Sequence, residues 1–266
     1  MTNNSNSGLT PLHLAARSGD IVAVRALIKG GENINAQDEK GVTPLLLATM
    51  ARETNILTAL AEAGASVNMP ASDGLMPLHV AVAAGLSDIA HALVKWGANV
   101  NARFQGWSPL HYAALKRKTD IAAILVNAGA DVNIRAKDGA YPLHLAAKAG
   151  GTGIALALIE AGTDVNARTN SGLTPLHIAG AEGRSDAAIS LIAAGADINA
   201  KDNNGRTPLH WAAYKAQTLI AVGYVKQGAN LYDLANNGKT ALQIAIDEHG
   251  EDSDIACFLR SAIGDK

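Results

Sequence analysis

The chain has 266 residues, 48% hydrophobic and 17% charged, a composition that supports a packed fold and excludes a disordered chain. Its formal charge of -2 gives no global attraction to nucleic acid or an anionic membrane, so any such contact has to be local. One cysteine, Cys257, excludes an internal disulfide and multi-cysteine zinc patterns and points to a reducing, cytoplasmic setting; there is no secretory leader pattern and no apolar run long enough to cross a bilayer.

A fixed period organises the rest. Glycines recur at Gly8, Gly41, Gly74, Gly106, Gly139, Gly172, Gly205 and Gly238, 33 residues apart except for one 32-residue step into Gly106. After them come LTPLHLAA, VTPLLLAT, LMPLHVAV, WSPLHYAA, AYPLHLAA, LTPLHIAG, RTPLHWAA and KTALQIAI. The period predicts a disordered leader over 1–7 and one domain over 8–266, with repeats at 8–40, 41–73, 74–105, 106–138, 139–171, 172–204, 205–237 and 238–266.

Seven of the eight repeats open with a residue before Pro that caps a first helix, Thr or Ser in most, and Pro suits the first helical position; the eighth has Thr240 before Ala241. In the first repeat Leu12, Ala15 and Ala16 face inward, Gly19 closes the helix, and IVAVRALIKG forms a second helix before the GENIN turn. In the second, fourth and seventh repeats Arg52, Arg117 and Ala216 replace the closing glycine, which predicts strain or another termination geometry. The fourth repeat also shortens its turn to NARFQGW, with Phe104 near the usual aspartate, which predicts a redirected tip. The seventh places Gly223 inside its second helix and Leu231-Tyr232 in its turn, so the last two repeats are expected to fray first. At the end Asp247, Glu248, Glu251, Asp252 and Asp254 beside His249 read as a solvated cap rather than a metal site, and Cys257 as a small buried residue.

This pattern resembles the ankyrin repeat over roughly Gly8 to Ile263, with its T-P-L-H-x-A signature. The resemblance implies an all-α ankyrin-repeat solenoid of stacked helix-turn-helix units with protruding β-hairpin-like turns. It implies that Thr10, Thr43, Thr174 and Thr207 cap their helices. It also implies that His13, His79, His111, His144, His177 and His210 bond within the turn and to a neighbouring repeat. Asn133, Asn166 and Asn199 would stabilise turns between repeats. A histidine repeated six times is structural, not catalytic.

No reaction is expected. Gly150-Gly151-Thr152-Gly153 lacks the spacing and lysine of a phosphate loop, and no nucleophile elbow or zinc-protease motif occurs. Catalytic residues, cofactor and metal are all expected to be none.

The resemblance implies a protein partner held on the turn tips and the concave face of the first helices. Those positions are Arg103, Phe104, Trp107, Arg135, Lys137 and Arg168 on the tips, and Tyr112, Leu115, Lys116, Tyr141, Lys148 and Tyr214 on or beside the first helices. Trp107 is expected to leave apolar area exposed. Basic residues edged by aromatics suit an acidic protein segment, which makes the chain a non-catalytic scaffold, recruiter or inhibitor. A capped solenoid needs no second copy to complete its core, so a monomer is expected. The alternative is an anionic ligand or nucleic acid on the same basic face; nucleic acid is disfavoured, since Lys116-Arg117-Lys118 reads as a solvated helix end.

Overall fold

The computed structural model describes residues 8–264, so the leader expected at Met1–Ser7 lies outside the described residues. Those residues form sixteen α-helices and no strand. In chain order they are α1 (Pro11–Ser18), α2 (Ile21–Lys29), α3 (Pro44–Ala51), α4 (Thr54–Glu62), α5 (Pro77–Ala84), α6 (Ser87–Lys95), α7 (Pro109–Leu115) and α8 (Thr119–Asn127). There follow α9 (Pro142–Ala149), α10 (Thr152–Glu160), α11 (Pro175–Ala181), α12 (Ser185–Ala193), α13 (Pro208–Tyr214), α14 (Thr218–Lys226), α15 (Ala241–His249) and α16 (Asp254–Gly264). Odd-numbered helices are the first of each repeat and even-numbered ones the second. Residues 8–113 with 120–131 form one compact unit, here N-terminal, and 114–119 with 132–264 another, C-terminal.

Within the N-terminal unit α1 packs on α3 and α3 on α5, while α2 packs on α4 and α4 on α6. The buried layer comes from Leu12, Leu45, Leu57, Leu60, Leu78 and Leu93, with Ala16, Ala48 and Ala81 letting first helices approach closely. The C-terminal unit repeats the scheme from α9 to α16 around Leu143, Leu158, Leu176, Leu191, Leu209 and Leu259. No helix pair here buries its apolar face alone, so stability comes from the interface each repeat makes with the next.

The signature histidine joins those repeats. Thr10 N–H donates to His13 Nδ1 at 3.1 Å, which leaves the ring proton on Nε2, and Nε2 donates to the Val42 carbonyl at 2.9 Å. His144 reaches Leu173 O at 2.9 Å, His177 reaches Arg206 O at 2.9 Å, and His210 reaches Lys239 O at 3.2 Å. His111 takes the matching bond from Ser108 N–H at 3.2 Å. Burial holds His144 and His177 neutral, with pKa values lowered to about 4, and also lowers His79 and His210. In the second repeat Leu46 fills the position as a fully buried apolar residue.

Several local expectations meet a definite outcome. Arg52, Arg117 and Ala216 keep the left-handed geometry of the glycine they replace, with φ of 64°, 56° and 53°, so the strain is accepted and the termination is unchanged. The turn after α14 keeps the pattern of its neighbours. Asn230 N–H donates to Asn199 Oδ1 at 2.9 Å, Tyr232 N–H donates to Asn230 Oδ1 at 3.0 Å, and Leu231 is buried. Cys257 is exposed, contrary to the buried position expected, because α16 directs Ile255, Ala256 and Leu259 inward and turns position 257 outward.

Candidate interaction surface

In the N-terminal unit the shortened turn is closed by its backbone. Phe104 N–H donates to Trp107 O at 2.9 Å and Trp107 N–H returns to Phe104 O at 3.0 Å. Gln105 and Gly106 between them have φ of 52° and 85°, the geometry of a two-residue type I′ turn. A full-length turn uses an aspartate instead: Asp38 Oδ1 accepts from Lys40 N–H at 2.9 Å and Val42 N–H at 2.8 Å. Phe104 offers no such acceptor.

The tip is therefore redirected inward as an aromatic cluster. Trp107 lies 5.4 Å from the Tyr112 ring and stacks at 6.3 Å on His111; Phe104 lies 6.4 Å from Tyr112 and 5.7 Å from His79. Trp107 is half-buried: its ring packs on the first turn of its own helix and keeps part of its surface open. Tyr112 is also half-buried and donates its hydroxyl to Phe104 O at 3.3 Å, and burial raises its pKa. Arg103 is exposed and donates to Gly106 O at 3.1 Å. His79 is the irregular member: Met76 stands at its cap position, and Nδ1 of His79 is buried without a partner, whereas His144 behind Tyr141 still accepts the cap residue's N–H at 3.2 Å.

The C-terminal unit carries the basic positions. Leu115 is half-buried and Lys116 exposed at the end of α7, while Lys137 and Lys148 extend exposed from a turn tip and from α9. Two arginines expected on the partner surface also make bonds across turns. Arg135 donates to Asn170 Oδ1 at 3.0 Å and lies 5.7 Å over the Tyr141 ring; Arg168 donates to Lys201 O at 2.6 Å. Lys201 bridges to Asp233 at 3.3 Å. An asparagine ladder joins the same tips: Nδ2 of Asn170 donates to Lys137 O at 3.1 Å, Nδ2 of Asn203 to Asn170 O at 3.0 Å, and Nδ2 of Asn236 to Asn203 O at 3.0 Å.

Farther along this unit Tyr214 is half-buried beneath two cations. Arg206 Cζ lies 5.3 Å from the Tyr214 ring and 5.6 Å from Trp211, and Lys215 Nζ lies 5.0 Å from Tyr214. Trp211 and Tyr214 meet edge to face at 5.9 Å. Nε1 of Trp211 donates to Asp202 Oδ2 at 3.0 Å, and Asp202 Oδ1 accepts from Asn204 and Arg206 N–H, so the indole is fixed by the turn. Tyr214 is among the surface residues expected from the sequence, where Arg206 and Lys215 also fall at tip and first-helix positions and Trp211 at a position open to packing or ligand contact; their common stack is what the structure adds. The signal for it is the arginine directly before TPLHWAAY.

The acidic end behaves as a surface. Asp247 pairs with Lys239 at 2.7 Å, which lowers its pKa, and His249 Nε2 lies 3.0 Å from Tyr214 O. Among the described residues no group of His, Cys, Asp or Glu is placed to hold a metal ion, and no helix is long and apolar enough to cross a membrane.

Paired helices, histidine bridges between repeats and a surface of turn tips define a helical repeat protein that presents side chains at its turn tips and first helices. The family model described as ankyrin repeats (3 copies) matches residues 1–71, 69–136, 133–202 and 185–265, and the chain belongs to the ankyrin-repeat family. Among curated proteins no match to the chain is found. Ankyrin repeats are generally non-catalytic protein–protein interaction modules.

Proposed function

We propose that the chain is a cytoplasmic, non-catalytic scaffold, recruiter or inhibitor that binds an acidic protein segment on the first helices and turn tips of the C-terminal unit. Leu115, Lys116, Arg135, Lys137, Tyr141, Lys148, Arg168 and Tyr214 belong to that surface, extended by Arg206, Trp211 and Lys215. Arg103, Phe104, Trp107 and Tyr112 in the N-terminal unit form a further contact patch. The observation that carries this reading is Arg206, held over Trp211 and Tyr214 with no ion pair of its own among the described residues. A cation held over aromatic faces loses little freedom on binding a carboxylate, and aromatic and arginine anchors dominate interface energetics. Glu182 is the exposed acid on the intervening first-helix end and leaves the surface basic in balance.

Affinity capture from lysate with the wild-type chain and a Lys148→Ala/Arg206→Ala/Lys215→Ala variant of equal circular dichroism tests the reading. Loss of a protein from the variant supports it. Identical captured proteins overturn the site, and retention of nucleic acid alone, with steep salt dependence, supports an anion-binding reading instead.

A further inference from the structure

The second-helix face of the C-terminal unit has a different character from its tips. Leu156 on α10, Ile189 on α12 and Leu219 on α14 are 43%, 62% and 85% exposed. Between α12 and α14 runs a groove of about 280 Å³ bordered by Ile189, Ile192, Leu219, Ile220 and Gly223. Exposed apolar residues gathered round a groove mark a contact surface rather than scattered surface chemistry.

Gly223 is the informative residue. Its backbone is ordinary helix, without the positive φ that favours glycine, and a Cβ built there meets no atom within 4 Å. Neither conformation nor packing within the chain calls for glycine at a position where alanine makes a more stable helix. What its missing side chain provides is a hollow, and the hollow lies one helical turn from the most exposed leucine, Leu219.

We propose that the chain pairs reversibly with a second copy of itself through this α12–α14 face. A two-fold axis perpendicular to α14 and passing between positions 219 and 223 sets the two α14 helices antiparallel. It places Leu219 of each copy over Gly223 of the other, as an isologous contact requires. The same axis brings opposite ends of the groove together. Asp186 at the start of α12 and Lys226 at the end of α14 are exposed and unpaired among the described residues, and each falls on the side of its opposite charge in the second copy. Hydrophobic knob, hollow and both charges are thus self-complementary. The core is complete without the second copy, so the monomer stays folded on dissociation.

Sedimentation equilibrium of the full chain over a wide concentration range reads the pairing directly. A monomer–dimer equilibrium is expected, weakened at least about tenfold by Leu219→Glu, the effect of removing a central apolar anchor. Gly223→Leu fills the hollow; it is expected to raise the thermal midpoint while weakening the dimer, a combination that a folding defect does not produce. Lys226→Glu is expected to weaken pairing and Asp186→Lys in the same chain to restore it. Arg206→Ala, on the proposed partner surface, leaves pairing unchanged, so the two proposals fail independently. A monomer at every concentration overturns the inference. So does a dimer indifferent to Leu219→Glu and Gly223→Leu, as does one lost with Arg206→Ala.

Discussion

Tyr224 on α14 fits against Gly180 on α11: a Cβ on Gly180 would lie 3.0 Å from ring Cε2 and 3.1 Å from the hydroxyl of Tyr224. The hydroxyl donates to Leu176 O at 2.8 Å, and burial raises the phenol pKa far out of its ordinary range. Position 224 is fully buried, so the large ring fits only because α11 has a glycine opposite it. Gly180→Ala is expected to destabilise the chain by about 1–3 kcal/mol through overpacking, read as a lower urea midpoint. Unchanged stability would mean that α11 moves freely away both from Tyr224 and from the Pro208 carbonyl on α13, which would lie 2.9 Å from the same Cβ.

Acid should weaken the fold through its histidines. His144 and His177 titrate near 4 when folded against an ordinary value of 6.5, because burial disfavours the charged ring. Their contribution is complete above the unfolded value and is lost as pH falls from about 6.5 to about 4, where the unfolded chain binds more protons. The shift corresponds to at most about 3 kcal/mol for each ring. Urea midpoints measured from pH 7.5 to pH 4.5 should fall, and His177→Leu, which copies the natural Leu46, should flatten the slope. Equal slopes in the two chains would show that other groups govern acid sensitivity.

His79 offers a gain in stability. Its Nδ1 is buried and lacks both the cap-residue N–H bond that Tyr141 gives His144 at 3.2 Å and any hydroxyl like those of Thr10 and Thr174, which lie 2.9 Å and 2.8 Å from the matching nitrogens of His13 and His177. Met76→Thr should therefore stabilise by about 0.5–1.5 kcal/mol, seen as a higher thermal midpoint. A lower midpoint would show that the methionine's packing outweighs the missing bond.

Ala216 sits at φ 53° on an exposed helix end. A Cβ in that conformation costs about 1–2 kcal/mol, so Ala216→Gly should recover part of it despite the greater freedom of glycine when unfolded. Differential scanning calorimetry of the two chains decides the sign.

Much of this is legible in the sequence because the period fixes the environment of each residue. Thr10, Pro11 and His13 recur with the same chemistry, so one correct assignment serves several repeats. The candidate surface is less legible because its geometry is made between turns. Arg168 meets Lys201, 33 residues on, and Arg135 meets Asn170, 35 residues on, contacts for which local patterning has no signal. The contacts of Trp107 with Tyr112 and His111 arise where the turn is shortened by one residue, and local patterning does not give them. Arg206, Trp211 and Tyr214 are each visible in the sequence, yet their shared stack depends on the indole being fixed by Asp202.

The asparagine ladder makes turn length a property held in common by neighbours. Asn203 reaches Asn170 O and Asn236 reaches Asn203 O, each rung spanning 33 residues. An insertion within one turn displaces both the donor it offers back and the acceptor it offers forward, so its damage spreads to the repeats on either side. Duplication or loss of a whole repeat leaves every rung in register. Along this edge, diversification is open to single substitutions and to the copying of complete modules, while the lengths between them stay locked.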